Sequence, residues 1–232
     1  MQKPNVLLIM CDQPNASVIE TYRGPLHTPN ISKMWRLDMP LKDVYDYRVG
    51  TKCVDAIRRA RKPFMFTCSF NMPHDPNVVP SPYYETIDKN AIRADVSLPC
   101  EERYRSELSR AIPALAGEEF LKEFLKIYYA SVMLIDDQVG CILDALKKSG
   151  EYEHTVIIFT ADHGDMAGGH GMFWKSTSAF YEEVVRVPLI VSVPGYEKSM
   201  KYYQPVELVD IMPTILELCG LQVPEGIDGR AC

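Results

Sequence analysis

A carboxylate, two imidazoles and an amine fall within one short stretch, Thr155 to Lys175, which reads Thr-Val-Ile-Ile-Phe-Thr-Ala-Asp-His-Gly-Asp-Met-Ala-Gly-Gly-His-Gly-Met-Phe-Trp-Lys. Asp162 and His163 are ligand types for a divalent cation, and His170 and Lys175 follow closely enough to face the same crevice. Taken alone, Asp162-His163-Gly164 is equally explained by a capped strand end, with His163 packed and Lys175 solvated. A second stretch decides between the readings. Asn5 to Met10 is a continuous apolar run that ends in another polar pair, Asp12-Gln13. Strands far apart in sequence that both end in oxygen ligands converge on a hard cation when they lie side by side in a parallel sheet. A third run, Phe64 to Phe70, leads into Asn71-Met72-Pro73-His74-Asp75-Pro76. The flanking prolines restrict the backbone there and hold His74 in an extended loop.

These groups need a scaffold that gathers strand ends, and the rest of the chain supplies its parts. Apolar, β-branched runs at 4–10, 64–70, 155–161 and 186–193 predict buried strands, and open α/β sheets bind ligands at the carboxyl ends of such strands. The glycines at 164, 168, 169 and 171 allow the chain after Asp162 to turn back, so that His170 and Lys175 face the same crevice. Val49, Cys53, Ala56, Ile57 and Ala60 recur at helical spacing and predict an amphipathic helix over 46–61. A longer helix over 118–149 carries an apolar stripe from Phe120 to Leu146 and stops at Gly150. Asp136 and Asp137 interrupt that stripe, but neighbours on a helix point about 100° apart, so the pair reads as surface carboxylates rather than chelators. Short helices are expected at 180–185 and 208–218. Residues 13–36 read as irregular, with Thr28-Pro29-Asn30 and then Ile31, Met34 and Trp35 opening a helix that stops at once. Residues 77–113 read as a long surface excursion, with Tyr83, Tyr84 and Arg93 as candidate cleft residues.

Composition narrows the classes further. The chain has 232 residues, 47% of them apolar, enough for one α/β domain with a real core. A net charge of −6 without a basic block argues against nucleic acid as partner. No stretch has the apolar length of a membrane span, and the first residues enter a core strand with no leader pattern, so a cytoplasmic location is the default expectation. Seven cysteines without short paired spacing, among them Cys11, Cys68, Cys141 and Cys219 inside apolar runs, read as reduced, buried thiols.

Five segments, in this order, carry a resemblance: Lys-Pro-Asn-Val-Leu-Leu-Ile-Met-Cys-Asp-Gln, Pro-His-Asp-Pro, Thr-Ala-Asp-His-Gly-Asp-Met-Ala-Gly-Gly-His-Gly with Lys175, Phe-Tyr-Glu-Glu-Val-Val-Arg-Val-Pro-Leu-Ile and Leu-Val-Asp-Ile-Met-Pro-Thr-Ile-Leu. Together they resemble the sulfatases of the alkaline phosphatase superfamily. The resemblance implies an alkaline-phosphatase-like three-layer α/β sandwich with a mostly parallel central sheet, in shortened form. It implies a divalent ion, calcium first and magnesium or manganese as alternatives, held by Asp12, Asp162 and His163 with Gln13 as a fourth partner. His74 and Lys175, with His170 nearby, would grip the substrate, a small sulfated or phosphorylated ester such as a sulfated sugar.

The chain also departs from the family pattern. Gln13 stands where many members have a second Asp, which lowers the negative charge of the site. The family's nucleophile is a Cys or Ser, converted to formylglycine, in a Cys/Ser-x-Pro-x-Arg motif. No Cys or Ser here satisfies that pattern; Ser97-Leu-Pro-Cys-Glu has the proline but not the arginine and follows His74. The Gly-Lys-x-His pair that assists the nucleophile is not found either. The expectation is therefore a single sulfatase-like domain over 1–232 with an internal deletion near 35–45 and a shortened C-terminal subdomain, and with impaired sulfate-ester hydrolysis. A phosphonate monoester or phosphodiester hydrolase, and a non-catalytic anion-binding remnant, are the alternatives.

Overall fold

The computed structural model describes residues 4–12, 36–37, 39–75, 77–93, 107–175, 180–196 and 200–232. In chain order these form β1 (Asn5–Asp12), β2 (Arg36–Leu37), α1 (Tyr45–Arg59), β3 (Met65–Pro73), β4 (Val79–Pro80) and α2 (Ser81–Thr86). The long α3 (Glu107–Ser149), β5 (Thr155–Ala161), α4 (Glu182–Val185), β6 (Leu189–Ser192) and α5 (Ile211–Leu218) follow.

Four strands make the central sheet in the order β3-β1-β5-β6, with β3, β1 and β5 parallel and β6 antiparallel at the edge. Side chains alternate across it with the period of two that a strand imposes. Leu7, Ile9, Cys11 and Ile157 pack with residues of α1 and α3, whereas Val6, Val156 and Ile158 pack against Ile215 of α5. Burial on both faces is the reason β1 and β5 are apolar almost throughout, whereas β3, at the sheet edge, alternates between exposed and more buried positions. The result is three layers. The far half of α3 covers the sheet through Leu134, Ile135, Ile142 and Leu146. Its middle turns bury Leu121, Phe124, Ile127 and Tyr128 against Val79, Tyr84, Ile87 and Ile92.

Three expectations are corrected here. First, α3 begins at Glu107 rather than 118, so the excursion from 77 is shorter. Pro113 reads as a breaker, but Ala111, Ala114, Leu115 and Ala116 around it are strong helix formers. Second, Tyr83 and Tyr84 are engaged with α3. Tyr84 is 4% exposed and its hydroxyl donates to Glu123 Oε1 at 2.8 Å, while the Tyr83 hydroxyl donates to Asp137 Oδ2 at 2.8 Å. Both tie the 79–92 segment to α3. Third, Cys141 is exposed and Cys219 half-buried, whereas among the described residues Cys11, Cys53 and Cys68 are the buried free thiols. Among the described residues, no helix is long and apolar enough to cross a membrane.

Candidate metal centre and anion-binding loops

β1 and β5 pair in register from Asn5↔Thr155 to Cys11↔Ala161, so the next residues, Asp12 and Asp162, leave the sheet side by side. His163 follows. Ligand atoms of Asp12, Asp162 and His163 all lie within 4.8 Å of one another. His163 Nε2 stands 3.4 Å from Asp12 Oδ1 and 3.8 Å from Asp162 Oδ2. Its other nitrogen, Nδ1, lies 2.8 Å from the Gly164 carbonyl oxygen. A carbonyl only accepts, so Nδ1 carries a proton, and Nε2 faces the carboxylates.

That arrangement tests whether a cation fits. Asp12 Oδ1 and His163 Nε2 are buried atoms without a hydrogen-bond partner among the described residues. A carboxylate oxygen and an imidazole nitrogen buried face to face without a hydrogen-bond partner are costly. A divalent ion removes that cost, and two carboxylates with one imidazole suit a hard cation. The electrostatics agree. Burial, then the neighbouring Asp162, pushes the Asp12 carboxyl up from its ordinary value, and His74, His163 and Lys175 act in the opposite sense. Beside them opens a cleft of about 150 Å³ lined by Asp12, Asp162, Tyr45, Ser69 and Asn71, among others.

β3 carries the second component. It runs on to Pro73 instead of ending at Phe70, because its pairing with β1 shifts between Cys11 (opposite Phe70) and Asp12 (opposite Pro73). The irregularity brings the Pro73-His74 turn level with Asp12. Asp46, in the first turn of α1 and 2% exposed, holds it there: its Oδ1 accepts the Asn71 N–H at 2.6 Å. The Asn71 carbonyl in turn accepts the His74 N–H at 3.1 Å. His74 Nδ1 donates to the Asp75 carbonyl at 2.7 Å and sits 3.1 Å from the Asp75 carboxylate.

The loop after β5 carries Lys175, which is exposed. His170 of the same loop is engaged elsewhere, 3.6 Å from Glu183 Oε1 and stacked on Tyr181 with ring centroids 4.1 Å apart. Gln13 lies outside the described residues. Sequence reasoning missed Asp46 and Asn77. An acidic residue in a first helical turn and an asparagine in a loop are too common to have singled either out.

Parallel strands that deliver acidic and imidazole ligands at their carboxyl ends, between two helical layers, define an alkaline-phosphatase-like α/β protein. Within that class the sulfatase family profile matches residues 36–221, and the chain belongs to the sulfatase family. An arylsulfatase of Clostridium perfringens is 31% identical over 191 residues, covering 78% of this chain and 39% of the relative. A choline-sulfatase of Rhizobium meliloti is 29% identical over 174 residues, covering 72% of this chain and 33% of the relative. Among solved structures, a phosphonate monoester hydrolase of Silicibacter pomeroyi superposes with a TM-score of 0.71 at 26% identity, covering 83% of this chain and 41% of that one. The chain thus spans well under half the length of these relatives.

Proposed function

We propose that this chain binds the sulfate group of a small sulfate ester at a divalent-cation centre held by Asp12, Asp162 and His163, and that its hydrolysis of such esters is strongly impaired. The observation that carries the reading is the meeting of those three ligands within 4.8 Å, with two of their buried atoms unpartnered. Calcium suits the oxygen-rich set, with magnesium or manganese as alternatives. A bound divalent ion would supply neutralisation of charge on the sulfuryl oxygens. Lys175 adds a second positive charge to the same oxygens, and its exposure lets the ester enter. With Nδ1–H held by the Asp75 carbonyl, His74 in its doubly protonated form presents Nε2–H to the ester's bridging oxygen and passes that proton to it as the sulfur–oxygen bond breaks, leaving a neutral ring. No Cys or Ser lies in a Cys/Ser-x-Pro-x-Arg motif. Cleavage would therefore need water to attack the sulfur directly as the ester oxygen leaves, without the covalent intermediate that splits the barrier, and turnover falls accordingly.

Thermal unfolding with and without calcium tests the centre. Saturating calcium should raise the melting temperature, a ligand at about a hundred times its Kd contributing roughly 2.7 kcal/mol. Asp162→Ala should remove the rise, and an unchanged wild-type curve would reject the centre. The likeness to the phosphonate monoester hydrolase favours a second reading, in which a phosphonate monoester or phosphodiester is the substrate. Assays of 4-nitrophenyl sulfate and 4-nitrophenyl phenylphosphonate side by side separate the two.

A further inference from the structure

We infer that Asn77 is a positioning residue, a clasp that fixes the His74 loop against the Lys175 loop and so sets the affinity for a tetrahedral oxyanion. The inference rests on the reading that His74 and Lys175 hold that anion. Asn77 is 5% exposed and belongs to neither loop's motif. Its Nδ2 donates to the carbonyl of Pro73, the residue before His74, at 3.2 Å. Its Oδ1 accepts from Nε1 of Trp174, the residue before Lys175, at 3.3 Å and 97 positions away in sequence.

Both partners dictate how the amide must lie. A carbonyl can only accept and an indole N–H can only donate, so the side chain bridging them needs one donor and one acceptor at this spacing. Asparagine has both; aspartate lacks the donor and leucine lacks either. Each loop end is also fixed at its far side. The β3 terminus is held by Asp46 through Asn71. Trp174 is held in the left-handed region, φ 57°, with its ring set edge-on to Phe124 at 6.4 Å and tilted against Phe173 at 6.1 Å. A non-glycine residue stays in that region only where its surroundings over-determine it, and here the clasp and the aromatic cluster on α3 do so. Without the clasp, Trp174 can relax toward negative φ, which rotates the next residue, Lys175, away from His74. Asp12, Asp162 and His163 leave the sheet from β1 and β5, so their spacing does not depend on the clasp.

That separation gives the test two independent readouts: calcium-induced stabilisation, and binding of inorganic sulfate by calorimetry in the presence of calcium. Wild-type protein should bind sulfate, and His74→Ala and Lys175→Ala should each abolish it. Trp174→Phe should weaken sulfate about tenfold, the order expected for one lost hydrogen bond, and Asn77→Leu, which loses both bonds of the clasp, at least as much. The double variant should be no weaker than Asn77→Leu, because the shared bond is already gone. The calcium-dependent rise in melting temperature should match wild type in all three. The Trp174 indole N–H resonance should move on adding sulfate to wild type and stay still in Asn77→Leu. Wild-type sulfate affinity in Asn77→Leu overturns the clasp and leaves the anion site standing; absence of sulfate binding in wild type overturns both. Joint loss of calcium and sulfate responses in the variants also overturns it, since that marks a general structural role. Should Asn77→Leu fail to fold, Trp174→Phe alone decides, with unchanged sulfate affinity as the refuting result.

Discussion

Gly164 shows how little room the ligand cluster has. Its N–H donates to the Val184 carbonyl at 2.7 Å, and a β-carbon added there would run into the backbone carbonyl of Glu183. Backbone cannot swing aside as a side chain can, so Gly164→Ala must displace the turn that carries His163. We expect a loss of about 1–3 kcal/mol, the usual cost of overpacking, together with loss of the calcium-dependent rise in melting temperature; thermal unfolding with and without calcium checks both. That Asp12, Asp162 and His163 come together was legible in the sequence because Asp12 and Asp162 stand where two apolar strand runs stop, and such a stop is visible in the sequence. Asp46 was not legible. It acts by accepting backbone N–H groups of a different segment, and nothing in its own neighbourhood records that partner. The same holds for Asn77. His170 shows the converse: chemistry alone nominated it, but Glu183 and Tyr181 engage its ring.

At the scale of elements, the sharpest contact is between α1 and α3. Gly50 of α1 faces Gln138 of α3, and a β-carbon on Gly50 would lie 2.8 Å from the Gln138 Cβ. In an exposed helix interior, Gly to Ala stabilises by roughly 0.5–1 kcal/mol. Here the sign should reverse: Gly50→Ala pushes two packed helices apart and should lower stability by about 1–3 kcal/mol in urea titration, with Gln138→Ala recovering part of the loss. The apolar periodicity of α1 and the stripe of α3 were readable because each element buries one continuous face. The start of α3 was hidden by Pro113. The extension of β3 to Pro73 was hidden because a register shift arises from pairing with β1, and the sequence of one strand does not contain it.

For the molecule as a whole, one buried cation gives stability an alkaline dependence. Lys126 of α3 is 0% exposed, lies 3.5 Å above the Tyr84 ring and has no hydrogen-bond partner among the described residues. Burial pulls its ammonium down to about 8, against the opposing pull of Glu123, Glu85 and Asp88 and with a smaller push from Lys89. An unfolded chain holds that proton up to about pH 10.4. Between the two values the unfolded state binds more protons than the folded one, so stability rises with pH across that window. Lys126→Met should therefore be the more stable protein at pH 7, with its advantage shrinking from pH 8 to 10; urea midpoints along that series read the difference, and a constant gap would refute it. The three layers close over this sheet with two carboxylates from distant parts of the chain at its rim, and their meeting depends on a count. Each rung from Asn5↔Thr155 to Cys11↔Ala161 must be present for Asp12 to emerge beside Asp162. Dropping or adding one residue between Asn5 and Cys11 turns Asp12 toward the opposite helical layer. That segment can exchange one aliphatic side chain for another, but its length admits no indel, since a one-residue gap there would part Asp12 from Asp162.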